Sequence, residues 1–149
     1  MRNLIVAGLL ASLFDASGAL AANACKDVET AFAAHAKAVA SRDIAALAST
    51  LTRDEGLILI LPNGKLTKTR NEYLEFHRAF FAEPSWSIAF EPISKLEGKD
   101  FAVITTKSRY RDVDDGKPFE SSNWVTFGFK RENGCWKLVH DQNTRRPAE

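Results

Sequence analysis

Residues 119–131, FESSNWVTFGFKR, combine aromatic and β-branched side chains with the two-residue alternation that is typical of a β-strand. The odd positions Val125, Phe127 and Phe129 are apolar, so they lie on one face of the strand. Ser121 and Asn123 continue that face toward a more polar end. The segment therefore predicts a long strand that packs one face against the rest of the protein.

Three further segments of the C-terminal half have strand character. They are residues 86–90, 101–111 and 136–143, and the connections EGKD, DDGK and ENG separate the four segments. Each connection contains the glycine and polar residues that favour tight turns. Four consecutive strands joined by short turns predict an antiparallel meander.

The N-terminal half has helical periodicity instead. Apolar residues recur at helical spacing over residues 28–40, Asp43 is placed to cap a short helix that ends at Thr50, and Thr69 with Glu72 forms a capping box for a helix over residues 70–81. Between these helices the apolar run LILIL, residues 57–61, ends in Pro-Asn-Gly and predicts a buried strand. Helices followed by long antiparallel strands predict an α+β domain whose curved sheet wraps segregated helices.

The composition fits one globular domain. The chain has 149 residues, of which 45% are hydrophobic and 26% charged. Twenty Lys and Arg against nineteen Asp and Glu give a net charge of +1 without a basic cluster. We therefore expect no nucleic-acid partner and no electrostatic attachment to a membrane.

The N-terminus has the layout of a secretory signal. A positive end is followed by the apolar run of residues 4–14 and by small residues up to 24. We expect residues 1–21 to be a signal peptide, with cleavage at 21 or as late as 24, and residues 22–149 to form a single domain. The alternative is a buried N-terminal helix. Export would make the protein periplasmic or secreted, with no membrane attachment after cleavage.

The two cysteines, Cys25 and Cys135, are expected to form a disulfide because an exported protein matures in an oxidising compartment. A lipidated Cys25 is the alternative. The sequence contains no phosphate-binding loop, His-Glu-x-x-His, Cys-x-x-Cys, Gly-x-Ser-x-Gly or Gly-x-Gly-x-x-Gly motif. We therefore expect neither a metal nor a cofactor.

The ending GCWKLVHDQNT, residues 134–144, resembles the last strand of SnoaL-like and DUF4440-like proteins of the NTF2-like superfamily. In these proteins a Gly-x-Trp-x-hydrophobic-Val-His-x-His-x-Ser pattern is common, and Gln142 and Thr144 stand here in place of the second His and the Ser. Residues 38–47 resemble the helix pair of the family, and residues 57–64 resemble its strand and Pro-x-Gly turn. The resemblance covers residues 26–145.

This resemblance implies a cone in which a curved antiparallel sheet packs on three helices and encloses an apolar pocket. It also implies a homodimer formed through the sheet. Trp124, Thr126 and Gly128, which share the outer face of their strand, are less polar than a solvated face and support that expectation. Members of the superfamily include ketosteroid isomerases, polyketide cyclases, dehydratases and binding modules without chemistry.

Three residues are the catalytic candidates. Asp141 could transfer a proton, because a carboxyl inside an apolar cone has a raised pKa. Tyr110 could stabilise an oxyanion, the alternative being a packed tyrosine with its hydroxyl at the rim. His77 could act as a base, the alternative being a packing residue. The alternative for Asp141 is a surface ion pair with Arg109, Arg111 or Arg145.

The faces of the last strand cannot be assigned by alternation alone. Trp136 and Leu138 favour one face as the core, whereas the resemblance favours the opposite face, which carries Asp141 and Asn143; a β-bulge would reconcile the two. We expect Asn123 to form a polar patch with Asp141 and Asn143. The expected ligand-binding residues are Tyr73, Phe80, Trp86, Asn123, Phe127, His140 and Asn143, with Ile88 in the apolar wall, whereas His35 is expected to be structural.

Two functions follow. The first, slightly preferred, is an exported protein that binds a small, mostly apolar molecule without converting it, or that uses its sheet as an assembly surface. The second is an isomerase, cyclase or dehydratase that uses an acid–base residue in the cone. If Asp141, Tyr110 and His77 line one closed cavity, the enzyme is favoured; if they scatter over the rim, it is not.

Overall fold

The structure is a computed structural model and describes residues 25–146. The expected signal peptide and its cleavage site lie outside these residues. The described chain forms three helices and six strands in the order α1 (Val28–Ala40), α2 (Ile44–Thr50), β1 (Ile58–Ile60), β2 (Leu66–Thr67), α3 (Arg70–Ala82), β3 (Ser87–Glu97), β4 (Phe101–Asp114), β5 (Lys117–Glu132) and β6 (Cys135–Arg145). The predicted α+β architecture, a curved sheet on three helices, is confirmed.

Each helix begins at a side chain that accepts a backbone hydrogen bond. Asp27 caps α1, Asp43 caps α2 through Ala46 N at 2.9 Å, and Thr69 caps α3 through Glu72 N at 3.1 Å. Such caps satisfy N–H groups that have no partner within the helix. In the described part of the chain, none of the helices combines the length and the apolar character needed to cross a bilayer.

The sheet has the strand order β2-β1-β6-β5-β4-β3. Strands β3 to β6 form the predicted antiparallel meander, and β1 lies parallel to β6 with Leu59 opposite Asp141. Two-residue turns join β4 to β5 and β5 to β6, at Asp115-Gly116 and Asn133-Gly134, and all four residues have positive φ. Asp-Gly and Asn-Gly are the pairs that favour this hairpin turn, so these turns set the register of the strands that carry the site.

The first meander strand is longer than the sequence predicted. It continues through Pro92 to Glu97, with an irregular register between Pro92 and Ser94. Because β3 is an edge strand that pairs only with β4, it can include Pro92, which has no N–H to donate. The strand therefore includes the proline and continues beyond it.

A bulge in β6 resolves the ambiguity of its faces. Gly128 is paired with His140 and Phe129 with Leu138, so Val139 has no partner on β5. Trp136 and Leu138 are buried before the bulge, and Asp141 is buried after it. Both interpretations of the last strand therefore hold, each on its own side of the bulge.

The core lies between the helices and the inner face of the sheet. Phe32 of α1 packs against Phe127 of β5 with ring centroids 5.4 Å apart. The largest fully buried core side chains, all less than 2% exposed, include Leu47, Leu57, Leu59, Tyr73, Phe127, Phe129, Trp136 and Leu138.

The predicted disulfide is present. Cys25 and Cys135 are bridged across 110 residues, with their Cα atoms 4.7 Å apart. Beside the bridge, Trp136 N donates a hydrogen bond to Cys25 O at 2.8 Å. The bridge ties the entrance of the helical layer to the start of β6.

Candidate functional site

A cavity of about 290 Å³ lies between α3, α1 and the inner face of the sheet. Its walls are largely apolar and aromatic. It opens where Pro62, Phe119 and Arg145 are exposed. The lining residues are His35, Val39, Leu59, Leu61, Pro62, Phe76, His77, Phe80, Ile88, Phe90, Tyr110, Phe119, Ser121, Asn123, Val125, Phe127, Asp141, Asn143 and Arg145.

Asp141 lies in the interior of this cavity on β6, between β1 and β5. The residue is 6% exposed, and burial raises the pKa of its carboxyl to about 7. Tyr73 donates to its Oδ2 at 3.2 Å and Asn143 donates to its Oδ1 at 3.0 Å, and both hydrogen bonds pull the pKa downward. A group whose pKa lies near neutrality can both accept and donate a proton at physiological pH.

Tyr73 links Asp141 to a buried histidine. Its hydroxyl lies 3.4 Å from His35 Nε2, and His35 Nδ1 lies 2.9 Å from Thr50 Oγ1. Because the Thr50 hydroxyl donates to Leu47 O, it accepts from His35 Nδ1, which leaves Nε2 as the acceptor nitrogen toward Tyr73. The Tyr73 proton thus has two acceptors, and protonated Asp141 can donate to the same hydroxyl while Tyr73 turns to His35.

His77 occupies the neighbouring turn of α3. Its Nδ1 donates to Tyr73 O at 2.8 Å, and its ring stacks on the Tyr73 ring with centroids 4.2 Å apart. Burial lowers the pKa of His77 to about 4, so its imidazole is neutral at pH 7 with Nε2 as an acceptor. Burial lowers the pKa of His35 to about 3, so it too is neutral.

Tyr110 lines the same cavity, but its hydroxyl donates to Asp112 Oδ2. Burial and this carboxylate both raise the pKa of Tyr110. The Asp112 carboxylate also accepts from Ser85 Oγ at 2.6 Å. The hydroxyl proton expected to stabilise an oxyanion is therefore already engaged.

The expected polar patch is spread along two strands. Phe127 is paired with Asp141, and Asn123 with Arg145. The three predicted polar residues Asn123, Asp141 and Asn143 all line the cavity, from its interior to its mouth. Asp141 and Asn143 are hydrogen-bonded to each other, and Asn123 lies further toward the mouth, opposite Arg145.

Three of the expected ligand-binding residues do not line the cavity. Tyr73 lies beneath its wall, and Trp86 lies behind Phe80, stacked with centroids 4.1 Å apart and donating its indole N–H to Phe80 O. His140 belongs to the outer face, where its Cβ approaches Gly128. The bulge explains the position of His140, because it precedes the inward-facing Asp141 by one residue.

The surface ion pair considered for Asp141 is not formed. Arg109 and Arg111 both pair with Glu120 on the sheet surface. Among residues 25–146 no group of three or more potential metal ligands is found.

Two titratable residues that line the cavity were not predicted as site residues. His35 was assigned to structure because it lies on an alanine-rich helix, and no local signal connects it with Tyr73, 38 residues away. Arg145 was considered only as an ion-pair partner. Because alternate residues of a strand share a face, Arg145 lies on the inner face once Asp141 and Asn143 are known to lie there.

Comparison with known proteins identifies the family. The SnoaL-like domain model matches residues 28–143, and the chain belongs to this family. No curated protein matches the sequence.

Solved structures show the same NTF2-like fold. A candidate dehydratase of the NTF2-like family from Streptomyces avermitilis is 21% identical, with a TM-score of 0.70 over 81% of this chain and 95% of that one. A ketosteroid isomerase-like protein from Erwinia carotovora atroseptica is 17% identical, with a TM-score of 0.70 and the same two coverages. The S. rosetta CaMKII hub is 26% identical, with a TM-score of 0.65 over 82% and 96%.

Proposed function

We propose that this protein is an acid–base enzyme of the isomerase or dehydratase type that acts on a small, mostly apolar substrate. The observation that carries the proposal is the Asp141 carboxyl, which lines an apolar cavity with a pKa of about 7 and is held by Tyr73 and Asn143. Asp141, His77 and Tyr110 line one cavity, which supports the proposal; this cavity is open at its mouth, whereas the condition set from the sequence was a closed cavity.

Asp141 is the proton-transfer group in this proposal. Its carboxylate takes a proton from a carbon next to a carbonyl, and the electron pair of the C–H bond moves toward the carbonyl. In an isomerisation the carboxylic acid returns the proton to a different carbon. In a dehydration the electron pair forms a C=C bond, the hydroxyl group on the next carbon leaves, and the Asp141 carboxylic acid gives it the abstracted proton to form water. Tyr73 can satisfy Asp141 in both protonation states because it lies between this carboxyl and His35.

His77 supplies a second acceptor to the same substrate through Nε2. Its stacking on Tyr73 and its hydrogen bond to the Tyr73 carbonyl hold the ring. Tyr110 serves as an aromatic wall in the proposal, because its hydroxyl is bound to Asp112.

The experiment is hydrogen–deuterium exchange at carbon acids. A panel of small aryl ketones is incubated in D₂O with the wild-type protein, Asp141→Asn and the control Asp112→Asn, and α-proton loss is followed by NMR. The wild type and the control should catalyse exchange, and Asp141→Asn should lose at least about 100-fold, within the usual effect of general acid–base groups. Equal exchange by the wild type and Asp141→Asn would contradict the proposal.

Binding without conversion is the second candidate. The Tyr110 hydroxyl favours it, because this hydroxyl is hydrogen-bonded to Asp112 and is not free to stabilise an oxyanion. In that case none of the three proteins catalyses exchange, and Asp141→Asn keeps most of the affinity for a retained ligand. Native mass spectrometry of the protein purified from the periplasm would detect such a ligand.

Export and dimerisation belong to the same proposal. The disulfide supports maturation in an oxidising compartment. The outer sheet face carries Trp124, which is 39% exposed, together with Leu96 at 72%, and this apolar surface supports a homodimer formed through the sheet.

A further inference from the structure

The cavity has polar groups at two separate levels. Asp141 and His77 lie in its interior, and Arg145 lies at the mouth on the same strand face as Asp141. The two residues on β6 are four positions apart, which corresponds to roughly 13 Å between their Cα atoms. Aromatic side chains, including Phe76 and Phe80, line the walls.

Arg145 differs from its neighbouring arginines. Arg109 and Arg111 pair with Glu120, and Arg146 stacks on Trp124 and donates to Ser122 Oγ. Within residues 25–146, Arg145 forms neither an ion pair nor a side-chain hydrogen bond. It is also the only cationic side chain among these residues that lines the cavity, because His35 and His77 are neutral. The Arg145 guanidinium is therefore available to bind a ligand in the cavity.

Asn123 stands beside this arginine. It is paired with Arg145 across the β5–β6 ladder and lines the same cavity, and its side-chain amide has no hydrogen-bond partner in the described chain. Ser121 precedes it on the same face of β5. An arginine fork with an adjacent amide and hydroxyl matches an oxygen-rich anionic group.

We propose that the ligand of this cavity is an apolar monocarboxylic acid whose carboxylate binds Arg145 at the mouth while its apolar body lies among the aromatic walls. The inference rests on the proposed function, because it names the substrate class of the same cavity. A single cation suits a singly charged carboxylate better than a phosphate. The reverse orientation would place the carboxylate in an apolar interior beside Asp141, which burial and like charge both disfavour.

The orientation has a consequence for the reaction. With its carboxylate at Arg145, the ligand presents to Asp141 a carbon remote from that carboxylate. The carbonyl that activates this carbon is therefore a second group on the substrate, which makes a keto acid with an apolar linker the class that fits both ends.

The test measures binding and requires no turnover. NMR-detected titrations with 3-phenylpropionate and its neutral amide, 3-phenylpropanamide, are compared for the wild type, Arg145→Gln and Arg146→Gln. The last variant is the matched control, since it removes the same charge from the adjacent residue on the opposite face. The wild type should prefer the carboxylate by about three- to five-fold, the range of a partly exposed ion pair.

Arg145→Gln should abolish the preference, and Arg146→Gln should keep it. Equal affinities of the wild type for the two probes, an unchanged preference in Arg145→Gln, or no binding of the carboxylate at millimolar concentration would each overturn the proposal. The same titration with Asp141→Asn distinguishes this proposal from the proposed function. If Asp141→Asn keeps the preference for the carboxylate while the wild type catalyses no proton exchange, the carboxylate site is supported and the enzymatic function is contradicted.

Discussion

Replacement of Asp141 by Asn should change how the stability of the fold depends on pH. The substitution keeps the shape of the side chain and removes its titration. In the folded wild type the pKa of Asp141 is raised from 3.8 to about 7. A carboxyl with a raised pKa stabilises the fold most below its unfolded pKa, and this contribution is lost as the pH rises through 7.

The size of the effect follows from the shift. The linkage relation converts the full difference between the two pKa values to about 4 kcal/mol, and the part that falls between pH 5 and pH 8 is about 2–3 kcal/mol. His35 and His77 change stability in the opposite direction, because burial lowers their pKa values and their contribution is lost as the pH falls. The histidines are present in both proteins, so the difference between the wild type and Asp141→Asn isolates the carboxyl.

The assay is urea unfolding of both proteins at pH 5, 6, 7 and 8. Between pH 5 and pH 8 the wild type should lose about 2–3 kcal/mol in free energy of unfolding that Asp141→Asn does not lose. Asp112→Asn is the control, because hydrogen bonds from Ser85 and Tyr110 lower the pKa of this exposed carboxyl and its titration lies below the range. Parallel pH curves for the wild type and Asp141→Asn would refute the argument.

Three further predictions concern the surroundings of the site. Tyr73→Phe removes a hydrogen bond that favours ionised Asp141, so the pKa of Asp141 should rise further, measurable by the ¹³C chemical shift of its carboxyl in an NMR titration; an unchanged or lower pKa would contradict the role of Tyr73. Removing the Cys25–Cys135 bridge by double substitution to Ser should lower the free energy of unfolding by about 3–5 kcal/mol, since it releases a loop of 110 residues, and a denaturant midpoint unaltered by the substitutions would be the negative result. Sedimentation at micromolar concentration should show a homodimer, and Trp124→Glu on the outer sheet face should shift it toward monomer; a wild-type monomer would exclude the dimer.

The fold was predictable because its signals are local. Alternation in β5, the Asp-Gly and Asn-Gly turns and the capping residues of the helices each act over a few positions, and each agrees with the final architecture. The parallel pairing of β1 with β6 was not predicted, because it joins segments about 80 residues apart. The apolar run alone indicates burial and leaves the neighbouring strand open.

The site was predictable only in part, because its chemistry depends on which partners long-range packing supplies. Asp141 could be singled out as a carboxyl on a possible inner face, but its contact with Tyr73 spans 68 residues. The Tyr110 hydroxyl is engaged for a local reason: Asp112, two residues further on β4, accepts its hydrogen bond. Side chains at i and i+2 share a strand face, so this competitor was visible in the sequence.

A single residue determines whether the cone contains an acid. Trp136 and Leu138 are buried, so a regular β6 would continue inward with His140 and Gln142 and would place Asp141 and Asn143 on the outer face. The unpaired Val139 reverses this alternation, and the carboxyl lies instead beside Phe127 in the interior. The hydrophobic core fixes the strand before the bulge, and the hydrogen bonds of Asp141 with Tyr73 and Asn143 offset the cost of burying the carboxyl after it. The bulge thus separates the part of β6 that stabilises the fold from the part that carries its chemistry, and this is why neither alternation nor hydrophobicity alone could assign the strand.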